Sequence, residues 1–216
     1  MLDSQEMVAR ALLEIKAAHF NDETPFTLTS GTRSPVYVDC RKLISFPKQR
    51  RTVVALARLI VEHEWRGTKF DVVAGGETAG IPYAAFLAAE LDLPMVYVRK
   101  APKGFGRGSQ IEGQLDPGAT VLLVEDLLFD AQSKITFADV LRQADAKVAH
   151  TLVVFNYGNP AARVNLEKHG LALQALTDWP ALLRAAEANG YFTKQQVGVI
   201  REFLADPPAW SAKHSQ

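Results

Sequence analysis

Two neighbouring carboxylates, Glu125 and Asp126, follow an apolar run, Val121-Leu-Leu-Val124, and precede a polar turn, Asp130-Ala-Gln-Ser133. Paired acids at the end of a buried strand stand where open α/β sheets bind their ligands. They can accept hydrogen bonds from sugar hydroxyls or help to hold a metal. A second stretch, Arg99-Lys-Ala-Pro-Lys-Gly-Phe-Gly-Arg-Gly-Ser-Gln-Ile-Glu-Gly113, sets the cations Arg99, Lys100, Lys103 and Arg107 among glycines. Such a loop suits a polyanion, because it can close over the charge, neutralise it and exclude water. A third stretch, Val72-Val-Ala-Gly-Gly-Glu-Thr-Ala-Gly80, passes from strand-like residues through glycines toward a helix and offers backbone N–H groups to an anion. Each has a plainer reading: a helix cap, a solvated surface loop, a tight turn. For the cationic stretch the plain reading is strained by length, since ordinary connections run ~2–6 residues.

Those residues need elements to position them. Residues 3–20 carry Met7, Ala11, Leu12, Ile15 and Ala18 at helical spacing, and residues 26–39 form two strand-like pieces about a turn at Ser30, Gly31 and Pro35. Pro47 opens a helix that runs to Trp65. Beyond it, strands are expected at 70–74, 94–98, 119–124, 147–155 and 171–176, and helices at 78–91, 133–143, 178–189 and 193–204. Short apolar strands alternating with helices predict an α/β fold, with a mostly parallel sheet covered on both faces. The tail beyond Asp206-Pro-Pro is expected to fray.

Composition narrows the partners. Lys plus Arg and Asp plus Glu each total 24, so no nucleic-acid or membrane-surface partner is expected, although a local basic cluster can still bind an anionic ligand. Cys40 is the single cysteine, which excludes an intrachain disulfide and fits a reducing compartment. The five histidines have no zinc-ligand spacing. No signal peptide and no membrane helix is expected, and the cytoplasm is the expected location. A dinucleotide fold is excluded by the glycine spacing of residues 75–80.

The three chemical stretches in this order, together with Ser30-Gly-Thr-Arg-Ser-Pro35, resemble the orotate phosphoribosyltransferases. The likeness spans about residues 20–155, and Arg-Lys-x-x-Lys-Gly-x-Gly followed by Ile-Glu-Gly is its most specific part. It implies a type I phosphoribosyltransferase fold over residues 1–206, with a small hood from residues 1–45, carboxy-terminal helices at 178–206 and a tail at 207–216. The implied reaction joins orotate to 5-phosphoribosyl 1-diphosphate (PRPP), giving orotidine 5′-monophosphate and pyrophosphate, with Mg²⁺ bound mainly through PRPP and no metal held by the protein. The implied assembly is a homodimer whose loop 100–113 is shared across subunits. By position, Arg99, Lys100 and Lys103 hold the pyrophosphate, with Lys103 and Asp126 the residues nearest the chemistry. Glu125 and Asp126 take the ribose hydroxyls, Asp130, Ala131, Gln132 and Ser133 cradle the 5′-phosphate, and Tyr37 and Phe129 lie by the orotate.

The chain departs from that family at the phosphate turn, which usually reads acid-acid-x-x-Thr-x-Gly-x-Ser. Phe129 stands at the threonine position and Ala131 at the glycine position. Phenylalanine offers no hydroxyl, and alanine adds a Cβ where glycine-only backbone is expected. One or two lost charge-assisted hydrogen bonds, at ~1.5–3 kcal/mol each, correspond to roughly ten- to ten-thousand-fold weaker PRPP binding. Asn156-Tyr157-Gly158 also stands where an orotate-binding arginine often lies. Two further readings stay open at this point: a catalytically impaired relative that binds another ligand or a regulatory partner, and a transferase for another base.

Overall fold

Strands that are apolar on both faces have no side to show to water, so helices must cover them front and back. The computed structural model, which describes residues 4–28, 30–102 and 110–214, has this layering. The chain begins with α1 (Ser4–Glu14), β1 (Ala18–Phe20), β2 (Phe26–Thr27), β3 (Arg33–Ser34) and β4 (Val36–Val38). A 3₁₀ turn, Cys40–Ser45, leads into α2 (Pro47–Glu64). Next come β5 (Val72–Gly76), α3 (Gly80–Leu91), β6 (Met95–Val98), β7 (Ile111–Glu112) and β8 (Thr120–Leu128). Then follow α4 (Gln132–Gln143), β9 (Lys147–Asn156), α5 (Pro160–Lys168) and β10 (Ala172–Asp178). Three helices close the chain: α6 (Trp179–Asn189), α7 (Lys194–Ala205) and α8 (Pro207–Lys213).

Among the described residues, six strands form one sheet in the order β10-β9-β8-β5-β6-β7. All neighbours are parallel except the short edge strand β7, which returns antiparallel to β6. The alternation of a strand sorts β8 between two cores. Leu122 and Val124 pack with α1, α2, α3 and α6, whereas Val121 and Leu123 pack with α4 and α5. Because every strand from β5 to β10 except β7 runs the same way, the carboxyl ends of β5, β6 and β8 share one rim. β1 pairs with β4 and β2 with β3, both antiparallel, as two small sheets apart from the main one.

Several expectations need correction. The first helix stops at Glu14, and residues 18–20 form a strand: Lys16 takes a left-handed conformation (φ 53°), and the chain then pairs with β4. The helical spacing of Ile15 misleads because it is buried in the turn itself. β8 does not end at 124 but continues through both acids to Leu128. Periodicity does not announce α5, yet its start has local chemistry: Asn159 accepts from the Ala161 N–H and Pro160 occupies the first turn.

Residues 207–213 do not fray. Asp206 accepts from the Ala209 N–H, and the following prolines stand in the first turn, where no N–H is needed. Trp210 is 3% exposed, edge-on to Phe203 at 5.6 Å and stacked on His214 at 3.7 Å. Ser211 Oγ accepts from the Arg33 N–H at 2.9 Å, which clips α8 onto β3. Trp210→Ala is therefore expected to cost about 3–5 kcal/mol, the usual range for truncating a buried tryptophan. Denaturant titration measures it, and a loss under ~1 kcal/mol would mean that α8 is undocked in solution.

Candidate active site

Consecutive strand residues face opposite ways, so Glu125 and Asp126 diverge. Glu125 turns into the protein and is 6% exposed. Its Oε2 lies 3.2 Å from the Nζ of Lys134, itself 5% exposed, in the first turn of α4. Its Oε1 has no hydrogen-bond partner and sits against Gly76 and Gly80, where a Cβ on either would collide with it. Burial pushes the Glu125 carboxyl up to about 7, with Asp126 adding to the rise and the ammoniums of Lys134 and Lys100 opposing it. The expectation that Glu125 and Asp126 both take ribose hydroxyls meets this divergence: strand parity sends Glu125 inward and Asp126 to the opposite face of β8.

Asp126 lies on the hood side. Burial raises its pKa, while Lys134, the neighbouring backbone amides and Arg41 pull it down. Its charge bears on Tyr37, Cys40, Tyr83 and Tyr157, all of which are raised chiefly by their own burial. Two phenols tie the hood to the sheet here. Tyr83 donates its hydroxyl hydrogen to the Cys40 carbonyl, and the Tyr157 hydroxyl oxygen accepts from the Val38 N–H at 3.0 Å.

On the hood itself, His19, Phe26 and Tyr37 form an aromatic shelf, with centroid separations of 5.8–6.5 Å. Beside it, Arg41 donates through Nε to Asp39 at 2.7 Å and through Nη2 to the Tyr37 hydroxyl at 2.9 Å. Arg41, His19 and Phe26 are not singled out by the sequence. Only the register of β1 with β4, pairing His19 with Tyr37, brings this group together.

The phosphate turn differs from expectation in one respect. Ala131 adopts φ −89°, ψ −8°, an ordinary right-handed conformation, so its Cβ imposes no strain and glycine is not required. The Phe129 ring stands edge-on to Tyr157 at 5.4 Å, and its carbonyl accepts from Asn159 Nδ2 at 3.1 Å. Asp130 Oδ1 accepts from the Gln132 N–H at 3.0 Å, and the Ile135 N–H donates to the Ala131 carbonyl. The amides of Ser133 and Lys134 have no acceptor among the described residues, so the first turn of α4 presents donors. Ser133 Oγ accepts from Lys134 Nζ at 3.2 Å.

At the base of the cationic loop, the Arg99 N–H donates to the Gln110 carbonyl at 2.8 Å, and Arg99 Nη1 lies 3.7 Å from Glu112 Oε1. Arg99 Nε is buried without a partner. Glu77, between β5 and α3, accepts from the Lys100 N–H at 2.7 Å and donates its own N–H to the Val98 carbonyl at 2.8 Å. The loop base is thereby pinned beside the Gly76–Gly80 turn. Lys103 and Arg107 lie outside the described residues. No group of three or more His, Cys, Asp or Glu side chains gathers as a metal cage among the described residues.

Comparison with known proteins points to one family. The family model described as "Phosphoribosyl transferase domain" matches residues 47–183. An orotate phosphoribosyltransferase of Jannaschia sp. (strain CCS1) is 49% identical over 205 residues, covering 94% of this chain and 90% of that protein. The structure of Leishmania donovani UMP synthase superposes with a TM-score of 0.81 at 28% identity, covering 94% of this chain and 42% of that longer one. Orotate phosphoribosyltransferase from Aeropyrum pernix gives a TM-score of 0.72 at 29% identity over 86% of this chain and 99% of its own.

The buried pair sets a pH dependence. A carboxyl that binds its proton more tightly folded than unfolded favours folding below about pH 4.5, and that contribution is lost as pH rises through about 7. Lys134→Met strands an ionised carboxylate above that range and is expected to cost about 3–5 kcal/mol near pH 8. The cost should be smaller near pH ~5, where Glu125 carries its own proton and needs no cation. Denaturant titrations at both values test this; an equal cost would show that Glu125 is not the titrating group.

Proposed function

The chain belongs to the orotate phosphoribosyltransferase family, and on that premise we propose that it transfers the phosphoribosyl group of PRPP to orotate in pyrimidine biosynthesis. The observation that carries the reading is the convergence, on one rim, of Asp126, the donor turn of α4 and the pinned base of a cationic loop. PRPP presents matching groups: ribose hydroxyls, a 5′-phosphate and a 1-diphosphate. As the bond from ribose C1 to the diphosphate breaks, positive charge builds on the ring and negative charge on the departing group. Catalysis of such a step consists of holding the reactants in line and stabilising the leaving charge.

Asp126 accepts hydrogen bonds from the ribose hydroxyls. The amides of Ser133 and Lys134, at the positive end of α4, take the 5′-phosphate, with Gln132 and Asp130 shaping the turn. Arg99 and Lys100 meet the diphosphate from the loop base, and the family resemblance adds Lys103 beyond them. Glu125 holds no substrate in this scheme; through Lys134 it fixes the turn that does. A Mg²⁺ ion fits as a ligand-borne ion, since one crevice carboxylate, Asp126, complements phosphate and hydroxyl oxygens without a protein cage. When bound, it neutralises part of the diphosphate charge.

The same reading makes the enzyme a homodimer whose loop 100–113 serves the neighbouring site, and places it in the cytoplasm, in keeping with the buried, unpaired Cys40. No helix among the described residues is long and apolar enough to cross a membrane.

Purified protein with PRPP and Mg²⁺ is expected to consume orotate, seen as loss of its ultraviolet absorbance; a flat trace from folded protein overturns the assignment. Asp126→Asn should lower kcat/KM by about 100-fold or more while leaving Tm unchanged or higher, because it removes a partly buried charge. A parallel loss of Tm would make Asp126 structural. Phe129→Thr, which restores a hydroxyl, should tighten PRPP by about tenfold or more in calorimetric titration. It should also cost about 1–3 kcal/mol of stability by removing the contact with Tyr157. Ala131→Gly alone should change affinity little.

A further inference from the structure

We propose that Arg41 reads the carboxylate of orotate and so sets the base specificity, an inference that rests on the phosphoribosyl-transfer reading above. Orotate carries its carboxylate on the ring carbon next to the nitrogen that attacks ribose C1. A cation that recognises it must therefore stand close to whatever holds the ribose. Lys134 and Arg41 both draw the Asp126 carboxyl down. Lys134 is sealed in the interior and engaged with Glu125. Arg41 keeps 55% of its side chain exposed.

The end of β9 supplies no cation for this role. Residues 156–158, at the end of β9, are Asn156, Tyr157 and Gly158, and the Tyr157 hydroxyl is occupied by the Val38 N–H. The Arg41 guanidinium is already aimed. Its Nε edge is fixed by Asp39 and one Nη2 hydrogen by the Tyr37 hydroxyl. Of five N–H donors, three have no acceptor among the described residues, two on Nη1 and one on Nη2, and a carboxylate can take them as a fork. Tyr37, which holds the guanidinium, is also part of the aromatic shelf with Phe26 and His19. A planar pyrimidine lying on that shelf can turn its carboxylate toward Arg41. A base without the carboxylate would leave the fork unpaired, which is how such a site rejects it.

Orotidine 5′-monophosphate and uridine 5′-monophosphate differ by this carboxylate alone and separate the outcomes. Wild type should bind the orotidine nucleotide about tenfold or more tightly than the uridine nucleotide in calorimetric titration. Arg41→Gln should weaken the orotidine nucleotide by about 10- to 100-fold and the uridine nucleotide by less than about twofold. Arg41→Lys, which keeps the charge without the fork, should fall between. Equal loss for both nucleotides in folded variants, or loss for neither, overturns the role of Arg41 while leaving the transferase reading intact. Wild type that binds neither PRPP nor either nucleotide overturns both.

Discussion

A carboxylate and an ammonium 3.2 Å apart, both almost wholly withdrawn from water, join the end of β8 to the first turn of α4. Removing two charges from solvent is costly, and a pair of this kind is weak ground for stability as such. What it supplies here is placement. The turn of residues 129–133 is held at both ends, by Glu125 on the strand and by Lys134 on the helix. The donors of α4 are thereby fixed relative to the strand that carries Asp126. The pair also dictates sequence elsewhere: residues 76 and 80 must lack a Cβ for Glu125 to lie where it does. Gly76 and Gly80 bracket the turn that carries Glu77, and Glu77 pins the cationic loop. One buried ion pair thus locates two of the three anion-facing segments.

The third requirement, a surface for the base, comes from the opposite face of the same strand. Asp126, one residue on, points to the other face of β8, where its charge bears on Tyr37 of β4 and Cys40 of the 3₁₀ turn. The hood is too small to hold itself in place, with strands of two or three residues, and it borrows its position from the sheet. Tyr83 from α3 and Tyr157 after β9 each bond to its backbone, and Ser211 of α8 bonds to Arg33. These contacts set the spacing between aromatic shelf and carboxylate. The proposed base and sugar sites therefore depend on elements from opposite ends of the chain.

The layered sheet was legible because apolar runs such as Val121-Leu-Leu-Val124 and Leu152-Val-Val-Phe155 admit few other fates. The positions of the acids and of the loop base were legible for the same reason, since each follows such a run. Their facing was not. Whether Glu125 points in or out depends on the strand continuing to Leu128, and the polar character of Glu125-Asp126 conceals that. Arg41 was invisible because its meaning is tertiary: an arginine after a two-residue gap from β4 is unremarkable until the fold brings it to Asp126. Ala131 was misread for a related reason. A glycine position in a family suggests special dihedrals, but the turn here takes a conformation open to any residue.

The altered phosphate turn consequently bears less on function than its residue types suggest. A threonine hydroxyl is one donor among several, and the backbone donors at the start of α4 do not depend on side-chain identity. Phe129 spends its ring on Tyr157, the same phenol that positions β4, so the substitution reinforces the hood at the phosphate's expense. Binding energy in such a site is divided among sugar, 5′-phosphate, diphosphate and base. Losing one hydrogen bond at one of the four lowers affinity without dismantling the alignment on which the reaction rests. A chain that had abandoned the chemistry would have no physical need to keep Glu125 sealed against Gly76 and Gly80 at the cost of burying a charge pair. It is retention of that costly placement, more than the identity of any exposed residue, that argues for a working site.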